Sequence, residues 1–262
     1  MKALPSVLIT GASTGIGAVY AERFAQRGHD LVLVARDKNR LDTRARHLHQ
    51  QYGVDVDVLP ADLLQSTDLA AVAGRLTQDK QIEILVNNAG MHVHGNFIDQ
   101  TSQDVTRIIA LNTTAVATLT HAIAPRLAAA ETGAIINIAS VVGLAPEFAM
   151  TVYGATKAFV LFLSQGLSQE LAPKGVYVQA VLPAATRTEI WDRSGADINA
   201  MTGVMDVEEL VDAALVGFDR RETITIPPLH KPELWAAFQQ ARQVMLPEFA
   251  QEHAAGHYRT YS

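Results

Sequence analysis

A doubly wound α/β fold built on a parallel sheet is predicted for this chain by three observations. Short β-branched runs alternate with longer helical patterns, the runs are apolar on both faces, and a glycine-rich turn follows the first of them. The first run, residues 6–10, is followed by apolar residues at helical spacing over 16–27. The pattern then repeats: strand-like runs at 31–35, 54–59, 84–87, 134–139 and 176–182, with helical patterns at 39–52, 67–78, 104–130 and 151–172 between them. Runs buried by helices on both faces lack the in/out alternation of a half-solvated strand, and right-handed crossovers then wind the sheet in both directions. After Pro183 the pattern loosens into short helices at 189–200 and 207–219, a lone strand at 223–226 and a last helix from about Pro232. No repeat or linker divides the chain, so a single domain over 1–262 is expected, with a C-terminal extension from about residue 230.

Composition narrows the partners. The chain has 262 residues, 48% of them hydrophobic, which suffices for one large core. A net charge of −6 without a block of like charges gives no footprint for nucleic acid or an anionic membrane. There is no cysteine, which removes disulfides, thiolate metal sites and thiol nucleophiles. The N-terminus lacks a charged and apolar leader and no apolar stretch reads as membrane-spanning, so a cytoplasmic protein is expected.

The chemistry resides in hydroxyls and an amine. Tyr153 and Lys157 stand four residues apart in the helical pattern 151–172, which stacks phenol and ammonium on one face. A nearby cation favours the phenolate, and the spacing therefore predicts a phenol with lowered pKa. Ser140, just after the apolar run 133–139, is placed to aim a hydroxyl at a substrate oxygen. The turn Gly11-Ala12-Ser13-Thr14-Gly15-Ile16-Gly17 leads from strand to helix, where backbone can approach a pyrophosphate at a helix N-terminus. Arg36 at the end of the second strand favours a 2′-phosphate and hence NADP over NAD, although Asp37 is placed to face a ribose diol instead. Asn112, within Leu-Asn-Thr-Thr, predicts a kink in a long helix of otherwise better helix formers. His92-x-His94 and His47-x-His49 lack a spaced third ligand, and no metal is expected.

Thr10-Gly11-x-x-x-Gly15-x-Gly17, Asp62-Leu63, Asn87-Asn88-Ala89-Gly90, Asn112, Ser140 and Tyr153-x-x-x-Lys157 stand in this order, and together they resemble the short-chain dehydrogenase/reductase family over about residues 5–226. The resemblance implies a Rossmann-type, three-layer αβα domain with about seven parallel strands that binds NAD or NADP. It also implies roles: Gly11, Ser13, Thr14 and Ile16 around pyrophosphate and adenosine ribose, Asp62 and Leu63 at adenine, and Asn88, Ala89 and Gly90 along the cofactor. Tyr153 becomes the proton donor, Lys157 the holder of the nicotinamide ribose, Ser140 the group that polarises the carbonyl, and the kink at Asn112 the seat of a water leading to Lys157. Where the family shows Pro-Gly, this chain has Pro183-Ala184, with Thr188 in the expected place and Thr186 as an alternative hydroxyl.

The expected function is reduction of a ketone or aldehyde, or the reverse, with NADP(H). A cofactor sensor without turnover and an NAD-dependent alcohol dehydrogenase are the alternatives. Pocket-bordering segments 91–97, 141–148 and 183–191 are mostly apolar or neutral, which suggests an uncharged, lipophilic substrate. Residues 188–203 are expected to form a lid. Phe159, Leu161, Phe162, Leu163 and their neighbours make helix 151–172 apolar nearly all round, more than one sheet contact covers, so a homodimer or homotetramer is expected.

Overall fold

The computed structural model describes residues 4–189 and 202–259, arranged as two compact units, Met1–Pro228 and Leu229–Ser262. In the first unit seven strands form one parallel sheet: β1 (Ser6–Thr10), β2 (Leu31–Ala35), β3 (Val56–Pro60), β4 (Ile82–Asn87), β5 (Ala134–Ile138), β6 (Tyr177–Val181) and β7 (Ile224–Thr225). Their order, β3-β2-β1-β4-β5-β6-β7, reverses direction between β1 and β4. That switch point opens a crevice at the carboxyl ends of the strands. β1, β5 and β6 are buried along their whole length, as their unbroken apolar sequences require.

Helices α1 (Gly15–Gln26), α2 (Lys38–Tyr52), α3 (Ser66–Gln78), α4 (Ser102–Ile109), α5 (Val116–Ala130), α6 (Thr151–Leu171) and α7 (Val207–Asp219) connect the strands. Two apolar clusters form on the sheet, one containing Tyr20, Phe24 and Leu41 of α1 and α2, the other Leu76, Leu119, Ile123 and Leu127 of α3 and α5. Each such buried Phe, Leu or Ile side chain contributes about 1.5–3 kcal/mol.

Two expectations change here. The helix predicted over 104–130 is divided by a π-helical turn, Ala110–Ala115, so Asn112 sits in a widened turn where a kink was expected. The helical run 102–130 is also long and apolar enough to cross a bilayer by length and composition, contrary to the expectation that no stretch is. Its buried residues, among them Ile108, Leu119, Ile123 and Leu127, belong to the core, and α5 packs on α3 and β4. The helix expected at 189–200 and most of the lid expected at 188–203 lie outside the described residues.

The second unit contains α8 (Pro232–Met245), begun by a proline in its first turn, followed by short turns at Leu246–Phe249 and Gly256–Tyr258. Trp235 and Phe238 stack on α8 with ring centroids 5.4 Å apart.

Candidate active site

The carboxyl end of β1 and the end of β4 are tied together before any ligand is considered. Thr10 Oγ1 accepts the backbone N–H groups of Asn88 and Ala89, each at 3.0 Å. Asn88 Nδ2 in turn donates to the carbonyls of Thr10 at 2.9 Å and Gly11 at 3.3 Å. This side chain lies directly under the glycine turn. A Cβ on Gly11 would lie 2.7 Å from Asn88 Nδ2, and one on Gly17 would lie 2.5 Å from the Gly11 carbonyl oxygen. Gly11 also has φ +66°, so both positions demand glycine.

The turn forms one wall of a cleft of about 1050 Å³. Gly11, Ser13, Thr14, Gly15, Ile16, Arg36, Asp62, Leu63, Asn88, Ala89, Gly90, Ser140, Tyr153, Lys157, Pro183 and Thr188 all line it. Two expected site residues stand behind the wall: Gly17 is buried under the turn, and Asn112 is buried behind the loop that follows β4. Of the three segments expected to border the pocket, 91–97 contributes Met91, His92 and Val93, and 183–191 contributes Pro183, Ala184, Thr186, Thr188 and Glu189. Residues 141–148 do not line this cleft; they form two short turns beyond Ser140, and Leu111, Asp104 and Arg107 line it instead.

At the end of the cleft where β2 meets α2, Asp37 is engaged by its own helix. It is the N-cap of α2, its carboxylate accepting Arg40 N–H at 3.1 Å and lying 3.5 Å from Arg40 Nε. Arg40 also donates to Glu189 at 2.7 Å, an ion pair between residues distant in sequence. An aspartate immediately before a helical pattern, at a strand-to-helix junction, is an N-cap signal legible in the sequence. Its consequence for Asp37 was missed.

The other end holds the reactive groups. Ser140, in extended backbone beyond β5, donates to the Pro183 carbonyl at 3.1 Å and accepts Val142 N–H at 3.3 Å. A Cβ on Gly143 would lie 2.7 Å from Ala158 N, which shows how closely the turn after Ser140 lies on α6. Lys157 is buried and donates to the Ile138 carbonyl at 2.8 Å, with Nζ 5.5 Å from the Tyr153 ring centroid. Ser140, Tyr153 and Lys157 therefore do converge from β5 and α6.

Their electrostatics differ from the expectation. Burial pushes the Tyr153 phenol up to about 12, and its hydrogen bond with Ser140 pulls weakly the other way. Burial likewise lowers the Lys157 ammonium to about 8. The phenol is thus raised where a lowering by its neighbouring cation was predicted, because desolvation disfavours the charged form of both groups.

Asn112 has a structural part that the spacing did not reveal. Its Oδ1 accepts Met91 N–H and its Nδ2 donates to Met91 O, each at 2.9 Å, while Nδ2 also reaches Thr156 Oγ1 at 3.1 Å. Pro183 is buried and accepts from Ser140, and Ala184 does not adopt positive φ, so the methyl that replaces the usual glycine is accommodated. Thr186 Oγ1 donates to Ala184 O at 3.0 Å, and Thr188 packs on Gly15, whose Cβ would lie 3.2 Å from it. Among the described residues no three His, Asp or Glu side chains gather as a metal-holding group.

A family model described as short chain dehydrogenase matches residues 5–199. The fold superposes with a TM-score of 0.97 on the structure of a short-chain dehydrogenase from Sphingobium yanoikuyae in complex with NADPH, at 63% identity, covering 98% of this chain and 100% of that one. A bulky-bulky ketone specific alcohol dehydrogenase from Comamonas testosteroni gives a TM-score of 0.92 at 57% identity, covering 99% of this chain and 100% of that one. The very-long-chain 3-oxoacyl-CoA reductase of Anas platyrhynchos is 35% identical over 187 residues, 70% of this chain and 60% of that protein. The chain therefore spans 60% of the length of that curated relative.

Proposed function

The chain belongs to the short-chain dehydrogenase family, and from that premise we propose that it is an NADP(H)-dependent oxidoreductase that reduces an uncharged, bulky ketone or aldehyde, or runs the reverse oxidation. The observation that carries this reading is the convergence of Ser140, Tyr153 and Lys157 at one end of a cleft whose other end begins at the glycine turn. The residues fit a dinucleotide: the turn has no space for side chains at Gly11 and Gly17, which brings backbone to the cleft wall, and Arg36 stands at one end with the Lys157 amine at the other. NADPH, when bound, supplies the hydride.

This chain's own groups do the rest. Ser140 would turn its hydroxyl from the Pro183 carbonyl to the substrate's carbonyl oxygen and stabilise charge as it develops there. Tyr153 holds its proton firmly at neutral pH, since burial keeps the phenol neutral, and releases it to the oxygen as that oxygen becomes basic. Lys157 would donate to the cofactor's ribose. Gly11, Ser13, Thr14, Gly15 and Ile16 would hold the pyrophosphate, with Asp62, Leu63, Asn88, Ala89, Gly90, Pro183 and Thr188 along the remaining length. Arg36 would meet the 2′-phosphate. Engagement of Asp37 as an N-cap favours NADP over NAD, because the carboxylate that would bind a ribose diol is already used.

The substrate reading is supported by Met91, Val93 and Ala184 in the cleft wall and by the likeness to a bulky-bulky ketone specific enzyme. Exposed Phe159 and Phe162 on α6 support a homodimer or homotetramer. The test is a cofactor-oxidation screen with NADPH and NADH side by side over bulky aryl ketones, small ketones and aldehydes. Turnover of bulky ketones with NADPH is expected. Binding of NADPH without consumption across the whole panel would contradict the enzyme reading, and a preference for NADH would contradict the cofactor assignment.

A further inference from the structure

The loop between β4 and α4 carries a side chain that the proposed reaction does not use. His92 is half-buried in the cleft wall. Its ring meets that of Tyr153 edge to face, with centroids 5.1 Å apart and planes at 68°, a geometry in which ring quadrupoles attract. Burial, and then His94, hold the His92 imidazole below its ordinary pKa. It is therefore neutral near pH 7 and packs as an aromatic ring without bringing another cation beside Lys157.

The backbone on both sides of His92 is tied. Asn112 takes both polar backbone groups of Met91 at 2.9 Å. Gln100 Nε2 donates to Val93 O at 3.3 Å and to Gly95 O at 3.2 Å. Asn112 also reaches Thr156, whose hydroxyl donates to the Tyr153 carbonyl at 2.7 Å. One asparagine thus registers the loop carrying His92 against the helical turn carrying Tyr153.

Tyr153 has other restraints, which come from the segment after β5 and from its own helix. Ser140 beyond β5 bonds the hydroxyl, and Lys157 approaches the ring from the same helix. His92 adds a contact from a third element, the loop that follows β4. The demand on such a contact is high, because displacement of a reacting group by about 1 Å can cost on the order of 100-fold in rate.

The geometry points to His92 as a positioning residue: its ring, held by a loop tied at both ends, sets the tilt of the Tyr153 phenol toward the carbonyl that it protonates. This rests on the reductase reading above. The experiment compares His92→Ala, His92→Phe and Gln100→Ala with the natural protein, using a ketone turned over in the screen. His92→Ala is expected to lower kcat about ten-fold with KM for NADPH unchanged, His92→Phe to stay within about two-fold, and Gln100→Ala to fall between them. With [13Cζ]tyrosine, the Tyr153 resonance, assigned through Tyr153→Phe, is expected to shift or broaden in cofactor-free His92→Ala and to stay in place in His92→Phe. An undiminished kcat in His92→Ala, an equal loss in His92→Phe, or an unmoved resonance in His92→Ala would overturn the assignment. If His92→Ala does not fold, Gln100→Ala decides: natural turnover with an unmoved Tyr153 signal overturns it, and a loss with a shifted signal supports it. Absence of turnover by the natural protein on every ketone would count against the reductase reading, and the resonance would then decide the positioning role alone.

Discussion

At Tyr153 and Lys157 the same cause acts on groups of opposite charge type, and the two leave separable marks on stability. Lys157 has a folded pKa of about 8 against an ordinary 10.5, so between these values the unfolded chain binds more protons and stability rises with pH. Tyr153 has a folded pKa of about 12 against 10.0, so its contribution is present below pH 10 and lost as pH climbs toward 12. Denaturant unfolding from pH 8 to 10 is therefore expected to show Lys157→Met with a flatter rise than the natural protein; an identical slope would contradict the buried-ammonium account. Arg36→Asp is expected to raise KM for NADPH about 10-fold or more while KM for NADH changes little, since a charge-assisted bond contributes about 1.5–3 kcal/mol. Kinetics with both cofactors check this, and an equal effect on each would remove Arg36 from the 2′-phosphate. The identities of these residues were legible in the sequence because their chemistry needs particular side chains at particular spacings. The direction of the phenol's pKa was not, because spacing shows a neighbouring cation and says nothing of the burial that raises the phenol.

At the scale of elements, the glycine turn is fixed from below. Gly17→Ala would drive a methyl against Asn88 Nδ2 and the Gly11 carbonyl oxygen, and is expected to destabilise by about 1–3 kcal/mol while also weakening NADPH binding. A thermal melt together with a cofactor titration would reveal it; unchanged values of both would show that the strut can move. The alternation of strands and helices was readable because both faces of the sheet are covered, and β1, β2 and β5 fall close to the expected bounds. The π turn at Ala110–Ala115 was readable only as an irregularity, since poor helix formers announce a departure from the α-helix without its kind. What Asn112 does there depends on Met91 and Thr156, partners distant in sequence. For the same reason residues 141–148, adjacent to Ser140 in sequence, were misplaced as pocket wall.

Across the whole molecule, the exposed apolar side chains concentrate the remaining expectations. Phe162 on α6 is 78% exposed and Phe159 beside it 42% exposed, whereas Val160 and Leu161 are buried. Light scattering is expected to give a dimer or tetramer for the natural protein and a smaller species for Phe162→Glu; a monomer at micromolar concentration in the natural protein would contradict the assembly. The sequence pattern supplied the strand and helix succession, and right-handed crossovers then allow few sheet orders, which is why the fold followed so directly. The separate compact unit from Leu229 was foreseen only as an extension, since α8 carries no motif that the cleft explains. The measurement that reaches the centre of the account is NADPH turnover by Tyr153→Phe beside the natural protein, with cofactor affinity determined in parallel. Turnover is expected to fall about 100-fold or more with the NADPH Kd nearly unchanged, as for loss of a positioned proton donor. Turnover within two-fold of the natural protein, in a variant that binds NADPH equally well, would contradict it.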